Sequence, residues 1–360
     1  MQNIFSDLKI IELASVLAGP AVGMFFAELG AKVIKIENKK TGGDVTRRWR
    51  LPTESGEADY SAYYCSVNYK KESLMLDLAD ETDKKTALNL IADADIVISN
   101  FKHSSAAKMG LDYENINKIN PSVIFAHLSG YGAGDNRPAF DVVLQAEAGF
   151  LFMCGEPDRE PVKMPVALID ILAAHQLKEG ILIALLNRYK TGKGALVSTS
   201  LLESAVASLA NQATNYLMAN HIPQAMGSQH PNIAPYGDIF YTTDEKPLVL
   251  AVGTEKQFQG LCTALEMMNL REHPHFKTNA LRVKNRVELK EVLLPIFKKY
   301  TRADLLERFK IQQVPGGSVR NMHEVFEMEK VQSMILEDVM PDGRKGRRVR
   351  TVAFEVVESE

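Results

Sequence analysis

Lys9-Ile-Ile-Glu-Leu13 reads as a short buried strand, Gly19 to Leu29 as a helix closed by Gly30, and Lys32-Val-Ile-Lys-Ile36 as a second strand. The apolar runs are too short for helices and rich in isoleucine and valine, while the stretch between them is long enough for one. Strand, helix and strand in that order predict a βαβ unit with parallel strands and a right-handed crossover. The alternation continues: Ser73-Leu-Met-Leu-Asp77 is strand-like, 82–93 helical and Asp95-Ile-Val-Ile-Ser99 a strand, and Pro121-Ser-Val-Ile-Phe-Ala-His-Leu128 closes the series. The expected class is α/β with a largely parallel, Rossmann-like sheet.

The layout invites a dinucleotide, down to the acidic Glu37 after the second strand. The turn, however, reads Leu17-Ala-Gly-Pro-Ala-Val-Gly23 and lacks the GxG pair that lets backbone approach a pyrophosphate. A nicotinamide dehydrogenase is therefore a weak reading. Pro20 suits a first helical turn, where its missing N–H costs nothing.

With 360 residues the chain predicts two or three domains. Its net charge of −3 argues against a general nucleic-acid or membrane-surface binder. Cys65, Cys154 and Cys262 are scattered without CxxC spacing, so neither a metal site nor a disulfide framework is expected and a reducing cytoplasm fits. Met1 to Lys9 has no basic region followed by an apolar run, so no signal peptide is expected. The most apolar helix, around 171–189, carries His175, Gln176, Lys178 and Glu179, so it is expected in a core and not across a membrane.

Helical patterns dominate from Phe140 to Asn220, with a Gly/Pro-rich loop near 153–165 and a short strand near 195–200. Composition then shifts to a loop around His221–Pro231. A hairpin is expected from 238–242 and 247–252, followed by helices near 255–268, 284–299 and 301–311. Strands over 314–319 and 349–357 are expected on either side of a basic turn, Gly343-Arg-Lys-Gly-Arg-Arg348. The expected division is a large domain over 1–200, a linker over 201–230 and a smaller α+β domain over 231–330. A return of about 331–360 to the large domain stays open.

Asp170 interrupts the apolar run Val166-Ala-Leu-Ile-Asp-Ile-Leu-Ala-Ala174, which leads into the helix that ends at Lys190-Thr-Gly-Lys-Gly194. A carboxylate there is either satisfied structurally, as a helix cap, or reactive, because an unpaired buried charge is costly. Spacing alone favours the cap.

Taken in order, these segments resemble the class III CoA-transferases, the CaiB/BaiF family. Val16-Leu-Ala-Gly-Pro20 followed by Leu29-Gly-Ala-Lys-Val-Ile-Lys-Ile-Glu37 is similar to that family's opening signature. Gly43-Asp44 with Thr46-Arg47, Asn68 to Leu78, Asp95 to Phe101, Met109-Gly-Leu111, Asn120-Pro121, Ser129-Gly-Tyr-Gly132 and Asp170 follow at matching places. Tyr216-Leu217, Pro235-Tyr236, Asn321-Met322 and Val325-Phe326 resemble the branch acting on small dicarboxylates, the succinate–glutarate type.

The resemblance implies the class III CoA-transferase fold and an enzyme that moves CoA between an acyl-CoA and a small carboxylic acid. It makes Asp170 the covalent nucleophile, with coenzyme A as a substrate and no permanently bound cofactor or metal. With an ordinary pKa of ~3.9 such a carboxylate is ionised at neutral pH and needs no general base. Val16, Leu17 and Ala18 are implied to line the pantetheine arm. Leu76, Asn100 and Phe101 are implied near the nucleotide or arm, and Lys108 at a phosphate; Arg47 and Arg48 are further candidates. Asn38 stands where formyl-CoA transferases carry arginine, and Leu17 where they carry a glutamine, which disfavours formyl and oxalyl groups. Gly227 and His230 fall in a loop similar to the family's glycine-rich lid. Phe140 stands where the α-methylacyl-CoA racemases of the same family carry a histidine, so the racemase alternative loses its base. Asp141 is expected to be structural, or an orienter of the Asp170 helix. A non-catalytic CoA-binding protein is the alternative from another class. An interlocked homodimer is implied too, although this chain stops at Glu360, before the family's usual tail.

Overall fold

The computed structural model describes residues 3–56, 58–339 and 343–357. Six strands, β1 (Lys9–Leu13), β2 (Lys32–Asn38), β3 (Glu72–Leu76), β4 (Ile96–Ser99), β5 (Ile124–Ser129) and β6 (Ala195–Ser200), form one sheet in the order β3-β2-β1-β4-β5-β6. Every pairing in it is parallel. The order reverses between β1 and β4, the topological switch point at which open α/β sheets bind ligands.

Alternating side chains feed two cores. Ile10, Val33, Ile98 and Ala126 pack under helix α1 (Ala18–Glu28) and the long helix Leu168–Thr191, against Val22, Phe26, Ala173 and Ile181. Ile11, Leu13, Ile34, Val97 and Phe125 face the opposite layer with Ile91, Leu111 and Ile116. Burying each such side chain contributes roughly 1.5–3 kcal/mol. The long helix reaches β6 because Gly180 has no side chain; a Cβ there would lie 2.5 Å from Val197 Cγ1.

The chain divides into two compact units. The first comprises Met1–Phe150, Lys163–Ile222 and Lys330–Glu360; the second comprises Leu151–Val162 and Pro223–Glu329. The stretch expected as a linker contains two helices of the first unit, Leu201–Ala207 and Ala210–Ala219. The second unit holds the antiparallel sheet β7 (Tyr236–Tyr241), β8 (Pro247–Ala251) and β9 (Gly316–Ser318). Helices Glu255–Ala264, Arg286–Phe297 and Arg302–Ile311 accompany it, and Phe240 stacks on Phe297 at 4.2 Å in its core.

A second expectation fails. Residues 349–357 do not form a strand beyond Val349, and the basic segment is no turn: β11 (Lys345–Val349) pairs antiparallel with β10 (Ile335–Val339). Charge holds this ribbon together, Arg347 pairing with Glu337 at 2.8 Å and Arg348 with Asp338. Opposite charges facing across strands stabilise a ribbon that has little apolar signal. After it, Glu28 on α1 accepts the Thr351 and Val352 N–H groups at 2.7 and 3.0 Å.

Candidate active site

At the carboxyl ends of β1 and β4, Asn100 clasps Ser15 in both directions. Its Oδ1 accepts the Ser15 N–H at 3.2 Å and its Nδ2 donates to the Ser15 carbonyl at 3.0 Å. Beside this bridge lies a cavity of about 610 Å³ lined by Val16, Leu17, Ala18, Asn100, Phe101, Phe140 and Asp170, among others. Seven of the residues singled out in the sequence thus share one wall system within the first unit.

A second cavity of about 540 Å³ is lined by Leu76 together with Asn38, Arg48 and Met109, and it shares Ser15 and Phe101 with the first. Leu76 therefore lies next door to Asp170's cavity and not inside it. Lys108 lines neither; it is exposed in the last turn of the His103–Met109 helix. Gly227 and His230 belong to the second unit. There the Gly227 N–H donates to the Gly155 carbonyl at 2.7 Å, and the His230 ring meets Tyr236 edge-on.

Asp170 is not the helix cap that spacing suggested. It is the third residue of Leu168–Thr191, whose N-cap position is Ala167. Asp141 does the capping from another helix: its Oδ1 accepts the Ile169 N–H at 2.7 Å and the Asp170 N–H at 3.4 Å. Gln145 holds Asp141 in turn, donating to its Oδ2. Asp141 is thus an orienter of the helix start, and the Asp170 side chain is left to face the cavity.

That freedom changes its acidity. Burial, and then the negative Asp141, push the Asp170 carboxyl up from 3.8 to about 7. No hydrogen bond from a described residue offsets the shift. Asp170 is 8 % exposed, so the expectation of an ordinary, fully ionised carboxylate is corrected: its anion is held in a dry place that disfavours it.

Glu37 and Arg47 are spent on each other. Arg47 Nη2 and Nε reach the two Glu37 oxygens at 2.6 and 2.7 Å, and Tyr64 and Ser73 donate to Oε1. Burial pushes the Glu37 carboxyl up, but Arg47, Ser73 and the Asp44 N–H outweigh it and hold it at about 2. Glu37 is not offered to a ribose, and Arg47 is buried, not a solvated phosphate ligand.

Behind the first turn lies a buried charge cluster that was not among the expectations. Lys35 Nζ lies 3.0 Å from Glu12 and 3.1 Å from Asp44, and Lys71 Nζ lies 2.7 Å from Glu12. One signal was present: Glu12 and Lys35 each interrupt an apolar strand, and they sit directly opposite in register. Arg137, stacked 3.7 Å over the Tyr131 ring at the cavity wall, carried no such signal.

A Rossmann-like sheet with an acid-bearing cavity at its switch point is a setting in which open α/β folds bind small molecules, and comparison with known proteins gives the class. The family described as "CoA-transferase family III" matches residues 5–359. The chain is 36% identical over 334 residues to a succinate–glutarate CoA-transferase of Agrobacterium fabrum, covering 91% of this chain and 83% of that protein. It is 35% identical to the human succinyl-CoA:glutarate CoA-transferase, covering 91% and 74%. The crystal structure of a CaiB/BaiF family protein from Brucella suis superposes with a TM-score of 0.88 at 35% identity, over 100% of this chain and 94% of that one. The chain belongs to CoA-transferase family III and is an enzyme of that class, acting on CoA thioesters.

Proposed function

We propose that this enzyme moves CoA between a dicarboxylic acyl-CoA, of the succinyl or glutaryl kind, and a free dicarboxylate, with Asp170 as the covalent nucleophile. The observation that carries the reading is a buried carboxylate, with no hydrogen bond from a described residue, lining the cavity at the switch point beside Val16–Ala18. The names of the relatives from Agrobacterium and human supply the substrate class.

An Asp170 oxygen attacks the thioester carbonyl carbon, the C–S bond breaks, and CoA thiolate leaves an acyl–aspartyl anhydride. The thiolate then attacks the aspartyl carbonyl, releasing the donor acid and forming an aspartyl-CoA thioester. An acceptor carboxylate attacks that thioester and expels CoA again, giving a second anhydride. Attack of the thiolate on the acceptor's carbonyl yields the new acyl-CoA and restores Asp170. A dry cavity serves the two anhydrides, because water would hydrolyse them.

CoA fits this reading with its thiol end in the first cavity against Val16, Leu17, Ala18 and Phe140. Its nucleotide end would lie in the second cavity near Leu76, with Asn100 and Phe101 at the junction. Leu17 offers a second oxygen-rich carbonyl no donor, which disfavours oxalate. Phe140 cannot carry a proton, which disfavours epimerisation. The acting form is read as a homodimer: Ile183, Leu186 and Tyr189 on the long helix and Leu217 and Met218 further on are solvent-exposed apolar side chains that a second copy would cover.

The test is mass spectrometry of the protein mixed with succinyl-CoA, with and without hydroxylamine, alongside exchange of CoA from succinyl-CoA to glutarate. A hydroxylamine-sensitive adduct on the Asp170 peptide is the expected result. Exchange retained by Asp170→Ala would remove the mechanism.

A further inference from the structure

Val16 stands at the turn from β1 into α1 with φ 73°. That is left-handed backbone, which a β-branched residue resists and which persists only where surroundings impose it. The imposing groups can be named. The Asp44 carboxylate accepts the Val16 N–H at 3.1 and 3.4 Å. Asn100 holds both backbone groups of Ser15, and Lys35 Nζ donates to the Ala14 carbonyl. Asp44 is itself fixed by Thr46, whose N–H and hydroxyl reach Oδ1 at 3.0 and 2.8 Å, and its own N–H donates to Glu37 at 2.7 Å.

Lys35, opposite Asp44, is fully buried, so the aspartate has an obvious structural duty in offsetting that charge. Glu12 already supplies Lys35 with a carboxylate at 3.0 Å, however, and Asp44 alone reaches Val16. The residues immediately after Val16 are the cavity wall. Reversing the sign of φ at Val16 would swing Leu17 and Ala18 to a new heading, and a displacement of about 1 Å in a substrate-positioning wall is enough to cost ~10²-fold in rate.

We propose that Asp44 is a positioning residue: its carboxylate locks Val16 in the left-handed conformation and thereby sets the wall of the cavity that Asp170 faces. The inference rests on the transferase reading given above for that cavity. Glycine adopts positive φ without strain. If the lock is what matters, a glycine at position 16 makes Asp44 dispensable; if charge offset is what matters, it does not.

The experiment is a double-mutant cycle on the full chain: unmodified protein, Asp44→Ala, Val16→Gly and the double variant. Each is assayed for kcat and KM in CoA exchange between succinyl-CoA and glutarate, and each is melted. Asp44→Ala is expected to lower kcat/KM at least tenfold in the valine background and less than threefold in the Val16→Gly background. Equal losses in both backgrounds overturn the proposal. Should Asp44→Ala fail to fold with valine but fold with glycine, the lock stands; failure in both backgrounds assigns Asp44 to charge offset and overturns it. No exchange by the unmodified protein would sink the transferase reading, whereas exchange with equal losses sinks the lock alone.

Discussion

Asp170→Asn should abolish transfer and stabilise the protein, and the gain should depend on pH. The carboxyl titrates at 3.8 when unfolded and at about 7 when folded. Between those values the folded state binds the extra proton, so stability falls as pH rises through that window and the cost is complete above about 7. At about 1.4 kcal/mol per pH unit the shift amounts to about 4 kcal/mol. The negative charge in the first helical turn returns about 0.5–1 kcal/mol through the helix dipole, which leaves about 3 kcal/mol. Asparagine keeps the shape and drops the charge, so the variant should match the unmodified protein near pH 4 and exceed it at pH 8. For a unit of this size that is roughly a 6 °C gap in melting temperature. Melting both proteins by scanning calorimetry across pH 4–8 checks this, because groups common to both cancel in the difference. A gap that does not widen with pH, or an asparagine variant less stable at pH 8, would refute the argument that this anion is held against its solvation.

Activity should carry the same signature: kcat/KM should rise through about pH 7 as Asp170 ionises and then level off. Asp141→Asn, which keeps an acceptor for the Ile169 N–H but removes the repulsion, should move that midpoint to lower pH; an unmoved midpoint counts against Asp141 as a cause. Gly23→Ala should destabilise the first unit by about 2 kcal/mol or more, since its Cβ would lie 2.0 Å from Glu12 Oε2 over a buried charge cluster. Urea unfolding measures it, and an unchanged midpoint would mean that α1 gives way easily.

Local pattern carried the sheet. Ile10, Ile11, Val33 and Ile34 announce β1 and β2 by their apolar runs, and Gly30 marks the end of α1. The same logic could not see β11, whose Lys345-Gly-Arg-Arg348 run looks like a basic turn until Glu337 comes opposite Arg347 and Asp338 pairs with Arg348. Asp170 was visible as a charge in an apolar run, but its acidity depends on burial by tertiary packing and then on Asp141, 29 positions away and capping the same helix from outside. Arg47 looked like a phosphate ligand because its partner, Glu37, closes on it through a tertiary contact and not along the chain. What sequence lost in each case is a pairing between side chains from different elements.

Glu28 receives backbone donors from a segment more than three hundred residues downstream, and the first unit is assembled from three separated lengths of chain. During synthesis, then, the sheet emerges long before its last strap. The nascent protein must wait, with the far end of α1 lacking its partners, until Thr351 and Val352 have left the ribosome. Trimming the chain just past Glu329 would leave all six sheet strands intact yet strip those partners away, so this fold is completed by a segment made long after its sheet.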